Sequence, residues 1–490
     1  MSDLRNGARK EGKGEEVKPL FHLAVLLSAA GVTGCATVDP GAAFVDISGK
    51  VRDRSGEDAQ FMRSPGDAQE IERIVRGILK DELTADSAAR IALVNNRDVQ
   101  ATLQDLGLAQ ADLAQASRLS NPDLHGFLRS PNREPGGKNY EISLVQDFLN
   151  ILVQPLRKKF AAAELEVTKL RVGHELMRTM ADTKVAFFTL AGREQLATRL
   201  ALILDIEQTA VAFARRQSAA GNINDLQLLN HEAAATEAAM ALALTRIDAR
   251  RDRERLNRLM GLWGTDLEWK IATGLPPLPE RETGVEQLES FAISNRLDID
   301  AARWGVETVG RALALKQKTR YFPVGIEVGV QHEKDTDGQR VTGPSLGLQL
   351  PLFDTGKASI ARLKAEYERS QRQLEGLAIN TRSEVREARD VMMAAREVKE
   401  RYETVLLPQR VRILEETTLH YNMMLKGAYD LLLAKQGEVS AERGYVESWR
   451  DYWIARTELE RAVGGRLPGA LADRGNKETP QSLPEGETVR

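Results

Sequence analysis

Residues 343–366 read GPSLGLQLPLFDTGKASIARLKAE, and two periods meet inside them. Leu346, Leu348, Leu350 and Leu352 alternate with Gly347, Gln349 and Pro351, the period of two of a strand with one apolar face. Phe353-Asp354-Thr355-Gly356 interrupts that pattern. From Lys357 the apolar and alanine positions fall at helical spacing, to about Leu419. A one-sided apolar strand feeding a helix of about 60 residues is foreign to an ordinary globular domain, whose helices are several-fold shorter. It suits a chain that passes from lipid into water.

Working outward, the same order of elements occurs twice. Helical spacing begins at Thr84, runs through Ile91, Val94, Leu103 and Leu106 to about Leu119, and stops at Asn121-Pro122. Strands are expected over 122–130 and 139–148, joined by the turn-rich PNREPGGK. Pro155 then precedes a helix expected over 156–216. The chain breaks at AAGNIND (219–225), where Asn224 and Gln227 form a capping box for a helix returning to about Met260. After a connector with Pro276-Pro277-Leu278-Pro279, a helix over about 284–319 leads to Tyr321-Phe322-Pro323, strands over 323–332 and 343–353, and the long helix. That helix passes Pro408, breaks at Lys426-Gly427-Ala428-Tyr429-Asp430 and returns to Val463. The intervening 36–80 shows no sustained period and reads as an extended tether with a short helix near 68–80.

The duplication can be followed by residue. Asn95-x-x-Asp98-Val99-x-Ala101 matches Asn295-x-x-Asp298-Ile299-x-Ala301. Gly221-x-x-Asn224-x-Leu226 is set against Gly427-x-x-Asp430-x-Leu432, and Leu256-x-Arg258-x-Met260-Gly261 against Leu459-x-Arg461-x-Val463-Gly464. The expected organisation is a first repeat over 84–275, a linker over 276–285, a second repeat over 286–466 and a disordered tail over 467–490.

Composition narrows the function. The 490 residues carry a net charge of −3, so nothing basic points to nucleic acid. Aromatics are 5%, and alanine, leucine, glutamate and arginine predominate, as in long amphipathic helices. One cysteine excludes an intramolecular disulfide, and six scattered histidines show no ligand spacing. No nucleophile, metal cluster or phosphate loop is present, so neither an enzyme nor a cofactor or metal site is expected. ARRDRER (249–255) reads as a charged helix face, and Trp263, Trp269, Trp304, Trp449 and Trp453 as packing near connectors and helix ends.

The N-terminus is polar and basic to residue 19, then apolar from Leu20 to Val32, too short to span a membrane as a helix. It ends Val32-Thr33-Gly34-Cys35, which resembles a bacterial lipobox. The resemblance implies a lipoprotein signal peptide over 1–34, an acyl lipid on Cys35 and a lipidated tether over 35–83. An ordinary signal peptide or a buried free thiol is the alternative.

The strands are about ten residues long and alternate, as tilted transmembrane strands do. Four cannot close a barrel, and an open edge in lipid leaves amides unpaired. Three copies supply twelve strands. The bland alternative is a helical rod carrying two hairpins.

The joint LPLFDTGKASIARLKAE, the YFP and NP before the strands, the two glycine tips and the duplication together resemble the TolC-like outer-membrane efflux proteins. The resemblance spans about 84–466. It implies a mainly α chain with a small transmembrane β part, assembled as a homotrimer with an α-helical barrel and a 12-stranded β-barrel. It implies an outer-membrane exit duct of a tripartite efflux pump, with a periplasmic adaptor (membrane fusion) protein and an inner-membrane transporter as partners. Type I protein secretion, or a pore-less periplasmic coiled-coil scaffold lipoprotein, is the alternative. By position, Gly221, Asn224 and Leu226 with Gly427, Asp430 and Leu432 would form the periplasmic tips that meet the adaptor and gate the duct. Some relatives place a carboxylate six residues after the tip glycine; here Gln227 and Leu433 stand there, leaving Asp430 as the nearest acid. Glu327 and Gln331 are the candidates for the barrel lumen.

Overall fold

The computed structural model describes residues 39–468, apart from 131, 133–135, 273, 281, 283–286, 321–324 and 350–352. The expected leader, Cys35, the tail from 469 on, the YFP motif and the end of the fourth strand lie outside the described residues.

The segment read as an extended tether with a short helix near 68–80 holds two helices: α1 (Gly41–Ser55), which was not expected, and α2 (Pro65–Ile78), which answers to the expected short helix. Each buries only a narrow stripe, Ala43, Ile47, Val51 and Ser55 on α1 and Ile71 and Val75 on α2. On α1 so thin a stripe leaves little periodicity to read. Ile47 sits over Gly173, where a Cβ would come within 2.5 Å of its Cδ1. Asp46 is bonded by Lys169 Nζ at 2.7 Å, which fixes α1 to the rest of the chain.

The helix expected over 84–119 is two helices, α3 (Ala85–Asn95) and α4 (Arg97–Ala116). Thr84 opens the first with a capping box to Ser87. Asn96 is extended, and its Oδ1 accepts from the amides of Asp98 and Val99 at 2.7 and 3.2 Å. An asparagine hidden in a helical period thus ends one helix and caps the next. β1 (Asp123–Arg129) and β2 (Asn139–Asp147) follow as an antiparallel hairpin.

Helix α5 (Phe148–Ala219) leaves β2 without a linker, capped by Asp147, whose Oδ1 accepts from the Asn150 amide at 3.1 Å. Pro155 was expected to precede this helix, but it lies inside it. Its fixed φ is already helical, so the helix continues with one backbone donor missing. α6 (Asp225–Met260) returns, and a connector with one 3-10 turn leads to α7 (Leu288–Asn295) and α8 (Leu297–Thr319). Arg296, extended, divides them as Asn96 divides α3 from α4.

β3 (Gly325–Lys334) and β4 (Arg340–Gln349) complete a four-stranded antiparallel sheet in the order β1-β2-β3-β4. The turn at 353–356 closes when Asp354 Oδ1 accepts from Gly356 N at 2.8 Å, and α9 (Lys357–Arg401) starts at Lys357 as the sequence predicts. A π turn, Tyr402–Leu406, joins α9 to α10 (Leu407–Asn422) without a break in the helical path. It lies directly ahead of Pro408. A widened turn there accommodates the missing amide and the ring, so the helix passes its proline. α11 (Ala428–Val463) returns.

The helices lie side by side. α5 packs on α6, α11, α4 and α8; α9 packs on α11 and α8, and α10 on α11. The core is thickest where the returning helices end. There Phe187, Leu190, Leu256, Met260 and Trp269 form one cluster, and Val385, Met392, Tyr452 and Leu459 another.

The duplicated Asn-x-x-Asp motif has a structural cause at this level. Asn95 Nδ2 donates to the carbonyls of Met260 and Gly261 at 3.0 and 2.9 Å. Asn295 Nδ2 donates to those of Val463 and Gly464 at 3.2 and 3.1 Å. Each asparagine supplies donors that a helix C-terminus lacks. Gly261 and Gly464, both left-handed (φ 66° and 79°), cap the same two helices. A Cβ on Gly261 would stand 2.8 Å from Asn95 O.

Candidate channel and docking surfaces

The register gives the sheet two unlike faces. Leu124 pairs with Leu144, Leu144 with Val330, Val328 with Leu346 and Ile326 with Leu348. Since side chains alternate along a strand, these share one face. On it Leu124, Leu128, Ile142, Leu144, Val328, Val330, Leu346 and Leu348 are all exposed. The opposite face carries Glu141, Ser143, Glu327, Gln331, Glu333, Ser345 and Gln349. Gln331 donates to Glu141 across the β2–β3 pair. Glu327 and Gln331 thus lie on the polar face, where alternation places them. An apolar face that meets no core, backed by a polar one, is the pattern of strands between lipid and water.

Sheet and helical layer both end in unpaired flanks. The outer edges of β1 and β4 have no partner strand among the described residues. Beyond α5, the free flank of α6 exposes Met240, Leu244 and Ile247; beyond α11, that of α10 exposes Val411, Ile413 and Leu419.

The two tips superimpose in a register that the sequence alignment misses. α5 ends at Ala219 with Gly221 left-handed at φ 74°; α10 ends at Asn422 with Met424 left-handed at φ 61°. The caps that follow are Asn224 and Gly427. Asn224 N donates to Gln227 Oε1 at 3.1 Å, and Gly427 N donates to Asp430 Oδ2 at 3.0 Å. Gly221 therefore corresponds to Met424, Asn224 to Gly427, and Gln227 to Asp430. The spacing is 203 residues, the same as between Met260 and Val463. The expected pairing of Gly221 with Gly427 is one turn out of step. Gly427 is extended (φ −85°), so its role is to cap a helix rather than to reverse the chain. The carboxylate of Asp430 is spent on that cap. Leu226 is exposed at the first tip and Leu432 half-buried at the second, while Met424, Leu425, Tyr429 and Leu433 project into solvent.

Polar networks away from these surfaces hold the frame. The connector is strapped to α11 by Trp449 and Trp453, whose Nε1 atoms each donate to Pro276 O at 2.8 Å. Beside them Glu282, its side chain 4% exposed, receives Arg456 at 2.6 Å, Arg396 at 3.1 Å and the hydroxyl of Tyr452. Burial, then the bond to Glu282, pushes the Tyr452 phenol well above its ordinary range. The stretch 249–255 is only partly a solvated face. Asp252 bonds Arg193 at 3.0 Å, and Arg253 stacks on the Trp269 ring at 3.8 Å. A cavity of about 730 Å³ lies between α5, α9 and α11. Its bases are committed: Arg296 to Asp298 and Glu384 (2.7 Å each), Lys184 to Asp86 (2.5 Å). Burial opposes the charge on Asp298, but the Arg296 bonds hold its carboxyl below the usual range. No metal-ligand cluster occurs among the described residues.

No family model and no curated protein sequence matches the chain. Solved structures do. A membrane protein from Pseudomonas aeruginosa aligns at TM-score 0.68 and 18% identity, covering 82% of this chain and 93% of that one. The Campylobacter jejuni CmeC outer membrane channel aligns at 0.67 and 13% identity, over 86% and 93% of the two chains. The outer membrane protein VceC of Vibrio cholerae aligns at 0.63 and 17% identity, over 81% and 97%. The fold is that of the TolC-like outer-membrane channels.

Proposed function

We propose that this protein is the outer-membrane exit duct of a tripartite efflux system. One observation carries the reading: a sheet with an exposed apolar face and two open edges continues directly into a helical layer that also ends in two apolar flanks. Neither can be finished within one chain. In lipid the edges of β1 and β4 must be paired, and three copies around an axis pair all of them in a twelve-stranded barrel. The same rotation sets the free flank of α6 against α9 and α10 of the next copy. Glu327 and Gln331 then line the barrel interior, and the helices enclose a water-filled continuation of it.

The tips lie at the far end of the helices from the sheet, and their exposed Leu226, Met424, Leu425 and Tyr429 form an apolar rim. We assign this rim to a periplasmic adaptor, with an inner-membrane transporter supplying the energy. The duct itself performs no chemistry. Asp430, held in its cap, is not a free acidic gate. In this reading Cys35 carries a lipid that anchors the chain to the outer membrane, in addition to the barrel. Removing the lipid separates duct from scaffold. Cys35→Ala protein should still need detergent for extraction and should still assemble as three copies. A folded monomer that leaves the membrane without detergent overturns the proposal.

A further inference from the structure

The charges of the sheet are sorted by face. Alternation and register put every acid of the four strands, Asp123, Glu141, Asp147, Glu327 and Glu333, on the polar face, together with His125 and Arg129. The strand bases of the apolar face are His332, Lys334 and Arg340, and all three stand at the end remote from the helices. Lys334 pairs directly with Arg340 on β4 and with Tyr140 on β2. Like charges set opposite each other on one face repel. Neither Lys334 nor Arg340 makes a side-chain hydrogen bond or ion pair among the described residues. The acids of the adjoining turn are engaged within it: Asp335 Oδ1 accepts from the Thr336 amide at 2.6 Å, and Asp337 Oδ1 from that of Gln339 at 2.8 Å. His332, one same-face position inward, is bonded to Thr342 Oγ1 at 2.6 Å and lies against the Tyr140 ring at 6.0 Å.

We propose that Lys334 and Arg340, with His332 and Tyr140 beside them, bind the phosphate of an anionic lipid in the outer leaflet of the membrane. The inference rests on the exit-duct reading, which turns this face to lipid and this end outward. Depth agrees with it. From Ile326 to Lys334 is eight residues, about 26 Å along the strand and about 20 Å of depth at a tilt of about 40°. The apolar band of a membrane barrel is about 25 Å tall, so the basic pair falls near its outer margin, where headgroups begin. A phosphate seated between Lys334 and Arg340 turns a cross-strand repulsion into two charge-assisted contacts. The acyl chains of the same lipid then lie along Ile142, Leu144 and Val330, which are exposed on this face. Because the strand acids are confined to the opposite face, the phosphate meets no strand carboxylate. Free phosphate would leave that apolar surface uncovered, which is why a lipid is the occupant that fits.

The test is native mass spectrometry of the full chain in detergent, titrated with diphosphoryl lipid A, with the same lipid stripped of its phosphates, and with inorganic phosphate as competitor. One base near a charged leaflet surface is worth roughly a five-fold gain in affinity. Lys334→Gln combined with Arg340→Gln should therefore bind diphosphoryl lipid A about 25-fold more weakly than the unsubstituted protein. Arg129→Gln, on the polar face, should bind it unchanged. Dephosphorylated lipid should bind all of them alike and weakly, and inorganic phosphate at equal concentration should displace nothing. Equal affinity of the double variant and the unsubstituted protein overturns the proposal. So does equal affinity of the unsubstituted protein for the two lipids, a comparison that needs no variant. Displacement by inorganic phosphate overturns the lipid as occupant. The oligomer count in the same spectra keeps the two readings apart: a detergent-held oligomer with no preference for the phosphorylated lipid defeats this inference alone, whereas a folded monomer that needs no detergent defeats the duct.

Discussion

Leu144→Arg probes the apolar face of the sheet at its middle. Leu144 is 51% exposed and pairs with Leu124 on one side and Val330 on the other. If that face meets lipid, an arginine near the bilayer midplane costs about 2–4 kcal/mol, and three symmetric copies raise the cost to about 6–12 kcal/mol per particle. That is ten to twenty times thermal energy at about 0.6 kcal/mol, enough to abolish assembly. The adjacent Ser143 points to the opposite face, so Ser143→Arg controls for charge, size and strand position. The assay is the fraction of each variant recovered from outer membranes as assembled oligomer. Leu144→Arg should fall to background while Ser143→Arg stays near the unsubstituted level. Equal assembly of the two refutes the assignment of faces; the reverse order inverts it.

Other outcomes follow from the same geometry. Asn95→Ala and Asn295→Ala each remove two bonds to helix-terminal carbonyls, about 2 kcal/mol. They should lower the thermal midpoint by equal amounts, and unequal losses would break the structural equivalence of the repeats. Glu282→Ala leaves Arg396 and Arg456 without their shared carboxylate, a loss of about 3–5 kcal/mol, and should speed proteolytic cleavage of the connector over 263–281; an unchanged rate rules out the strap. Asp298, depressed by Arg296, stabilises above the ordinary carboxylate range, and that contribution fades as pH falls through its lowered value. Asp298→Asn should therefore flatten the acid side of a stability profile. Gly221→Val forces a β-branched residue to φ 74°, about 1–2 kcal/mol. It should reduce export while trimers persist, whereas Gly427→Val, at an extended position, should be milder; equal effects would contradict the 203-residue register.

Much of the fold was legible because long elements carry long periods. Alternation over β3 and β4 and helical spacing beyond Lys357 extend across many residues, so the strand-to-helix joint could be placed from sequence. What stayed hidden was short or non-local. Asn96 and Arg296 break helices inside an unbroken apolar period; the side-chain cap of Asn96 reveals one break, and the extended backbone at Arg296, which makes no such cap, reveals the other. The stripe on α1 is one residue wide, too thin to register as periodicity. The tips misled for a different reason. Gly221 and Gly427 share an identity but not a role, because the left-handed position of the second tip is taken by Met424. Capping geometry, Asn224 to Gln227 and Gly427 to Asp430, aligns them correctly, and the serine-, asparagine- or aspartate-based capping rule was the usable signal.

The account rests on strands of separate copies closing one barrel. The most direct measurement is the mass of the particle extracted in detergent from Cys35→Ala cells, by native mass spectrometry. Three copies in one particle that fails to leave the membrane without detergent is the predicted result. A single folded copy released into water contradicts it.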